Sequence, residues 1–116
     1  MVELIAIVRR DRALATKAEL ARIGCAGSSW FPVLGRGRQR GLQSGGPSPR
    51  LPFLPKACFT LMVEEGRIDE TVEAVIRANQ TGEFGDGKVF LLEGAREAYR
   101  VSTGERDVAQ SEVSIP

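Results

Sequence analysis

The chain has no histidine among its 116 residues. That excludes Ser-His and Cys-His activation of a nucleophile, and any histidine general base. It has only two cysteines, Cys25 and Cys58. They could form one disulfide but do not make a disulfide scaffold, and a zinc site would need further soft or imidazole ligands. Aromatic residues make up 6% of the chain, so aliphatic side chains must fill the core. No apolar run approaches the roughly 20 residues needed to span a bilayer. The opening MVELIAIVRR carries its charges after the apolar stretch and lacks a small-residue cleavage site, unlike a signal peptide, so the cytoplasm is the expected location. Carboxylates are absent from Leu20 to Val63, a stretch that holds Arg22, Arg36, Arg38, Arg40, Arg50 and Lys56. So long a basic segment is either a solvated loop or a surface for an anionic ligand or partner.

With 42% hydrophobic and 27% charged residues, the chain has the means for one domain and one core, over residues 1–116. Val2 to Val8 reads as a strand inside a sheet, apolar on both faces. Arg12 to Ile23 reads as a helix with Leu14, Ala18 and Ala21 on its buried stripe, Asp11 as N-cap and Gly24 as its stop. Ser28 to Leu34 is a strand that Pro32 confines to a sheet edge or a bulge. Gly35 to Pro52 is a long loop of glycine, proline, serine and arginine without periodicity; loops of this length are usually functional or disordered. Pro55 to Val63 alternates, with Ala57, Phe59, Leu61 and Val63 on one face and Cys58, Thr60 and Met62 on the other.

Asp69 to Gln80 is a second helix, with Asp69 as its cap and Val72, Val75 and Ile76 as its buried stripe. A glycine-punctuated turn, TGEFGDGK, leads into a short strand at Val89 to Leu92. Ala98 to Val101 reads as one more short strand before a polar tail. The order βαββαβ predicts an α+β, ferredoxin-like fold: a four-stranded antiparallel sheet with two helices on one face. The other face, also apolar, is expected to be buried by oligomerisation.

Three segments could carry chemistry. Gly35-Arg36-Gly37-Arg38-Gln39-Arg40-Gly41 combines glycines that let a backbone approach a ligand with guanidinium groups that grip phosphate. Gly85-Asp86-Gly87-Lys88 can form an anion nest of backbone N–H groups beside an ammonium, or can simply be a tight turn. It is not a Walker A loop, which needs four residues between its glycines and a following Ser or Thr. Arg100 and Ser102 would share one face of a short strand.

Taken together and in order, these segments resemble the P-II signal-transduction family over residues 2 to 106. GRGRQRG and FLPK (Phe53 to Lys56) resemble the two ends of that family's T-loop, here about residues 36–54. QTGEFGDGKVF resembles its B-loop signature, about residues 81–88, and YRVSTGER its C-loop, which with the tail covers about residues 98–116. The resemblance implies a homotrimer with nucleotide sites between subunits, where ATP and ADP compete and 2-oxoglutarate joins ATP through Mg²⁺. It places Ser29, Gly35, Gly37, Arg38, Gly85, Asp86, Gly87, Lys88 and Arg100 at nucleotide-binding positions. Gln39, Gly41 and Lys56 fall at those for 2-oxoglutarate and Mg²⁺, with Gln39 touching the metal only through Mg-ATP. It implies a regulator rather than an enzyme, acting on a target protein through the T-loop, with no nucleic acid and no membrane insertion.

The phrases AIVRRDRALATKAEL, VLGRGRQRGL and NQTG are most similar to the nitrogen-fixation branch, whose members bind nitrogenase; the rival target is an ammonium transporter. The chain departs from the family in three places. Ser102 stands where the C-loop has a second arginine, the segment Leu92 to Glu97 is one residue longer than usual, and the short T-loop has no tyrosine, Tyr99 being the only one. These departures keep a second reading open, a diverged relative with a different effector. Two other classes fit less well. An RRM-type RNA-binding module needs stacking aromatics on its central strands, where Phe59 and Phe90 stand isolated. A small enzyme would have to work through Asp86, a lysine or a cysteine.

Overall fold

A computed structural model of the chain describes residues 1–25, 27–35, 53–94 and 96–107. Its elements are β1 (Val2–Arg9), α1 (Ala13–Arg22), β2 (Ser29–Gly35), β3 (Leu54–Val63), α2 (Ile68–Asn79) and β4 (Gly87–Glu93), with 3-10 turns at Arg10–Arg12 and Glu65–Arg67 entering the two helices. The strands form one antiparallel sheet in the order β2-β3-β1-β4. This is the predicted ferredoxin-like arrangement. β1 alternates cleanly: Val2, Leu4, Ala6 and Val8 are buried, and the residues between them are half-buried. Across the β1–β3 ladder these four meet Val63, Leu61, Phe59 and Ala57, the face the alternation predicts. Leu20 of α1 and Val75 of α2 close the core over it. Trp30 of β2 stacks on the fully buried Phe59, ring centroids 5.9 Å apart. Pro32 lies on β2, an edge strand, where its missing N–H interrupts no ladder on the open side.

The helix stripes differ from the expected ones. In α1 the buried residues are Ala13, Thr16 and Leu20, while Leu14, Ala18 and Ala21 face solvent. In α2 they are Thr71, Ala74, Val75, Ala78 and Asn79, with Val72 half-buried and Ile76 exposed. The cause is polar pairing between the helices. Asn79 Nδ2 donates to Thr16 Oγ1 at 2.9 Å in a buried contact, so small and polar residues face the interhelical seam and larger aliphatics rotate outward.

The caps also differ. Neither Asp11 nor Asp69 caps a helix; Arg12 and Arg67 hold the N-cap positions, without side-chain cap bonds. Instead each of these arginines crosses to the far end of the other helix. Arg12 Nε donates to Ala78 O at 2.8 Å, and Arg67 donates to Ile23 O. A cation at a helix C-terminus satisfies orphan carbonyls and complements the dipole. Gly24 ends α1 as predicted, in the left-handed region at φ +80°, with the Cys25 N–H closing onto Leu20 O at 2.8 Å.

The sheet face opposite the helices carries Phe31, Met62, Phe90 and Leu92, all exposed in the single chain. Ala98 to Val101 is not a strand. Residues 98–107 fold into a narrow hairpin held by Asp107 N–H to Ala98 O (2.8 Å) and Arg100 N–H to Glu105 O (2.9 Å), with one bridge between Tyr99 and Arg106. Too few residues alternate between Gly94 and the Ser-Thr-Gly turn to build a ladder. No helix among the described residues is long and apolar enough to cross a membrane.

Candidate functional site

The turn from α2 into β4 is organised by one carboxylate. Asp86 Oδ2 accepts the N–H groups of Thr81 (2.7 Å) and Gly82 (2.9 Å), and its Oδ1 accepts the Thr81 hydroxyl. Burial pushes the Asp86 carboxyl up, but the Thr81 and Gly82 bonds and Arg9 outweigh this and leave it below the ordinary aspartate range. The carboxylate is thus consumed by the loop that it shapes. Gly85 and Gly87 lie in the left-handed region, at φ +94° and +121°, which an L side chain rarely adopts. A Cβ on Gly87 would stand 2.1 Å from the Ile7 carbonyl oxygen. Lys88 follows with its side chain exposed on the open sheet face, 5.9 Å over the Phe90 ring.

The ends of β1 and β3 bring two more cations to the same place. Arg9 and Lys56 are register partners. Arg9 Nη2 donates to Phe84 O at 2.6 Å and lies 3.5 Å from Asp86 Oδ1, while Lys56 Nζ donates to Gly85 O at 2.7 Å. Arg10 pins the neighbouring backbone, donating to Val33 O at 2.8 Å and Lys56 O at 3.3 Å. Gly35 leaves room for the Lys56 stem, since a Cβ there would stand 2.9 Å from Lys56 Cγ. The loop is therefore flanked by Arg9, Lys56 and Lys88, with Asp86 as its own carboxylate. Three cations against one carboxylate leave the surroundings of the loop net positive.

Lys56 is 5% exposed. Burial pushes its ammonium below the ordinary lysine range, Arg9 adds to that, and Asp86 and Asp11 oppose it. Its folded-state pKa is lower than the unfolded 10.5, so the unfolded chain binds the proton more tightly. The resulting destabilisation is full below the folded value and is relieved as pH rises from that value to the unfolded one. Lys56→Met is accordingly expected to leave the urea midpoint unchanged or to stabilise the protein by up to about 2 kcal/mol. A loss above about 1 kcal/mol would mean that the bond to Gly85 outweighs the desolvation.

The fold gathers Gly35, Lys56, Gly85, Asp86, Gly87 and Lys88 at one end of the sheet. It does not bring Ser29 there. Ser29 begins β2, on the opposite edge of the sheet from β4, three strand spacings or about 14 Å across. Nor does Arg100 reach the loop; its guanidinium lies 3.7 Å from Asp107 in the hairpin, and Ser102 sits in the hairpin's turn rather than beside it on a strand. Gly37, Arg38, Gln39 and Gly41 lie outside the described residues. A cavity of about 430 Å³ opens behind the loop, lined by Val72, Val75, Ile76 and Asn79 of α2, by Val8, and by Asp86 to Val89. Ile76 faces this space, and Val72 lines it while also packing against the core. Arg9 and Thr81, which hold the loop, have no sequence signal of their own: one is the last residue of a strand and the other an ordinary turn residue.

The sequence model of the family "Nitrogen regulatory protein P-II" matches residues 1–105. The chain is 37% identical over 107 residues to Nitrogen regulatory protein P-II 2 of Methanothermobacter thermautotrophicus, covering 90% of this chain and 92% of that one. It is 32% identical over 118 residues to Nitrogen fixation nifHD1 region GlnB-like protein 2 of Methanosarcina barkeri, covering 91% and 95%. It is 35% identical over 111 residues to Nitrogen regulatory protein P-II 1 of Escherichia coli K12, covering 94% and 98%. With the ferredoxin-like sheet and a glycine loop flanked by cations already in place, these matches show that the chain belongs to the P-II family of nitrogen regulatory proteins, signal-transducing regulators of nitrogen metabolism rather than enzymes.

Proposed function

We propose that this protein reports adenine nucleotide and 2-oxoglutarate levels to a target protein, as a cytoplasmic homotrimer. The observation that carries the reading is the glycine loop itself. Two left-handed glycines, Gly85 and Gly87, shape the loop, Arg9 and Lys56 hold its Phe84 and Gly85 carbonyls, and the exposed Lys88 follows it. Polyphosphate fits the loop, because the loop's backbone N–H groups, turned away from Arg9 and Lys56, can meet phosphate oxygens as an anion nest. Lys56 would meet a carboxylate of 2-oxoglutarate once it leaves Gly85 O, and Gly41 would line the same subsite. Gly37, Arg38 and Arg100 would add contacts to the nucleotide. Among the described residues no group of three or more His, Cys, Asp and Glu could hold a metal. Mg²⁺ fits as a companion of the phosphates, with the Gln39 side-chain oxygen as the protein's contribution.

The trimer is supported by the exposed Phe31, Met62, Phe90 and Leu92 on the open sheet face. Ser29, at the far sheet edge, would then serve a nucleotide across a boundary between copies. The ligand would then bias the T-loop, about residues 36–54, between forms that engage or release the target, a shift set by differential binding. Nitrogenase is the favoured target, given the likeness to a protein named for a nitrogen-fixation region; an ammonium transporter is the alternative.

Calorimetry tests this. ATP with Mg²⁺ is expected to bind wild-type protein, to bind more tightly with 2-oxoglutarate present, and to lose that tightening in Gln39→Ala. Sedimentation should give the mass of three chains. Absence of nucleotide binding would favour the diverged relative with another effector, to which Ser102 and the Arg100–Asp107 pairing already point.

A further inference from the structure

Arg9 belongs to no predicted site, yet its side chain reaches into the loop. Its Nη2 holds Phe84 O at 2.6 Å and approaches Asp86 Oδ1 at 3.5 Å. The same guanidinium lies 3.3 to 3.4 Å from where a Gly85 Cβ would be. Its Nε is buried without a partner among the described residues, an unusual tolerance for a buried donor. Next to it Lys56 Nζ holds the following carbonyl, Gly85 O, at 2.7 Å. Two successive loop carbonyls are therefore drawn toward two register-paired cations.

The direction of those carbonyls fixes the direction of the amides. The chain has no cis peptide bonds among the described residues, and in a planar trans peptide the C=O and the next N–H point in opposite senses. With Phe84 O turned to Arg9, the Gly85 N–H points away from it. With Gly85 O turned to Lys56, the Asp86 N–H points away as well. The Gly85 N–H has no hydrogen-bond partner among the described residues. The φ of +94° at Gly85 permits this peptide orientation without strain.

We infer that Arg9 is a positioning residue for phosphate binding: it draws the Phe84 carbonyl inward and, with Lys56, turns the Gly85 and Asp86 N–H groups outward as an anion nest. The inference rests on reading the loop as a phosphate site. Arg9 touches no ligand in this role. It acts through the peptide planes, and its charge also balances Asp86, which ties the loop's other end.

The test uses wild type, Arg9→Met and Arg9→Lys of the full chain, with Mg-ATP as the probe. Arg9→Met is expected to bind ATP about 10-fold more weakly, the loss of one charge-assisted contact that sets the nest. In ¹⁵N spectra of the free protein the Gly85 and Asp86 amides should move, while core amides such as Leu4 and Phe59 stay in place. Arg9→Lys, which keeps a cationic donor, should restore most of the affinity. Unchanged ATP affinity in Arg9→Met would overturn the inference, as would a lysine variant as weak as the methionine one or shifts spread through the core. If wild type binds no ATP, the nucleotide reading falls. The amides then decide separately: moved Gly85 and Asp86 signals keep the loop-positioning role, and unmoved ones end it.

Discussion

Gly87→Ala is expected to destabilise the protein by on the order of 3 kcal/mol and to abolish nucleotide binding. Two separate penalties meet at this residue. Its φ of +121° lies where L side chains rarely go. Its Cβ would stand 2.1 Å from Ile7 O and 3.0 Å from Val8 Cα, backbone atoms of a central strand that cannot rotate aside. Relief requires β4 to lift from β1 at the Val8–Gly87 pair, which opens the ladder and carries Lys88 away with it. Urea denaturation followed by circular dichroism gives the first number, and calorimetry with ATP the second. Gly82→Ala is the control: its Cβ would meet nothing within 4 Å, so only its φ of +86° is strained, and a smaller loss of about 1 kcal/mol is expected. Equal losses in the two variants would show that the close approach to Ile7 does not decide the matter.

Asp86→Ala is expected to weaken ATP binding about 100-fold while costing about 1–3 kcal/mol of stability. The carboxylate joins the first turn of the loop, Thr81 and Gly82, to its last, and braces Arg9. Without it the loop loses the acceptor for two N–H groups and a hydroxyl at once, and the phosphate-facing amides lose their frame. The effect carries a pH signature. Because the folded-state pKa of Asp86 lies below its unfolded 3.8, its contribution is full above 3.8 and is lost as pH falls through the folded value. Asp86→Asn, which keeps one acceptor oxygen, should show intermediate affinity and a shallower loss of stability on acidification. A wild-type acid limb identical to that of Asp86→Asn would remove the carboxylate's charge from the account.

Much of this protein was legible in its residues. Alternation in Pro55 to Val63 grouped Ala57, Phe59, Leu61 and Val63 on one face, because the strand period of two leaves no other choice, whereas Val2 to Val8, apolar on both faces, named no buried side. Pro32 confined β2 to an edge or a bulge, and Gly24 ended α1. The glycine and lysine spacing of Gly85 to Lys88 marked the loop, and the ordered motifs marked the family.

What the sequence could not decide were contacts between segments distant along the chain. The helix stripes were misread because apolar periodicity alone favours Leu14 and Ile76, whereas Thr16 and Asn79 win the buried seam through a hydrogen bond that exists only when the helices touch. Asp11 and Asp69 looked like caps because local chemistry allows it. Arg12 and Arg67 reach across to the opposite helix end instead, a partnership no local window contains. Arg9 became a loop brace only because the ladder sets it beside Lys56 and under Phe84. The sequence by itself determined the four strands of the sheet and the residue types of the site, though not the hairpin at residues 98–107. Tertiary structure alone decided which cation holds which carbonyl, because a hydrogen bond between residues 75 positions apart along the chain depends on folded geometry rather than on pattern.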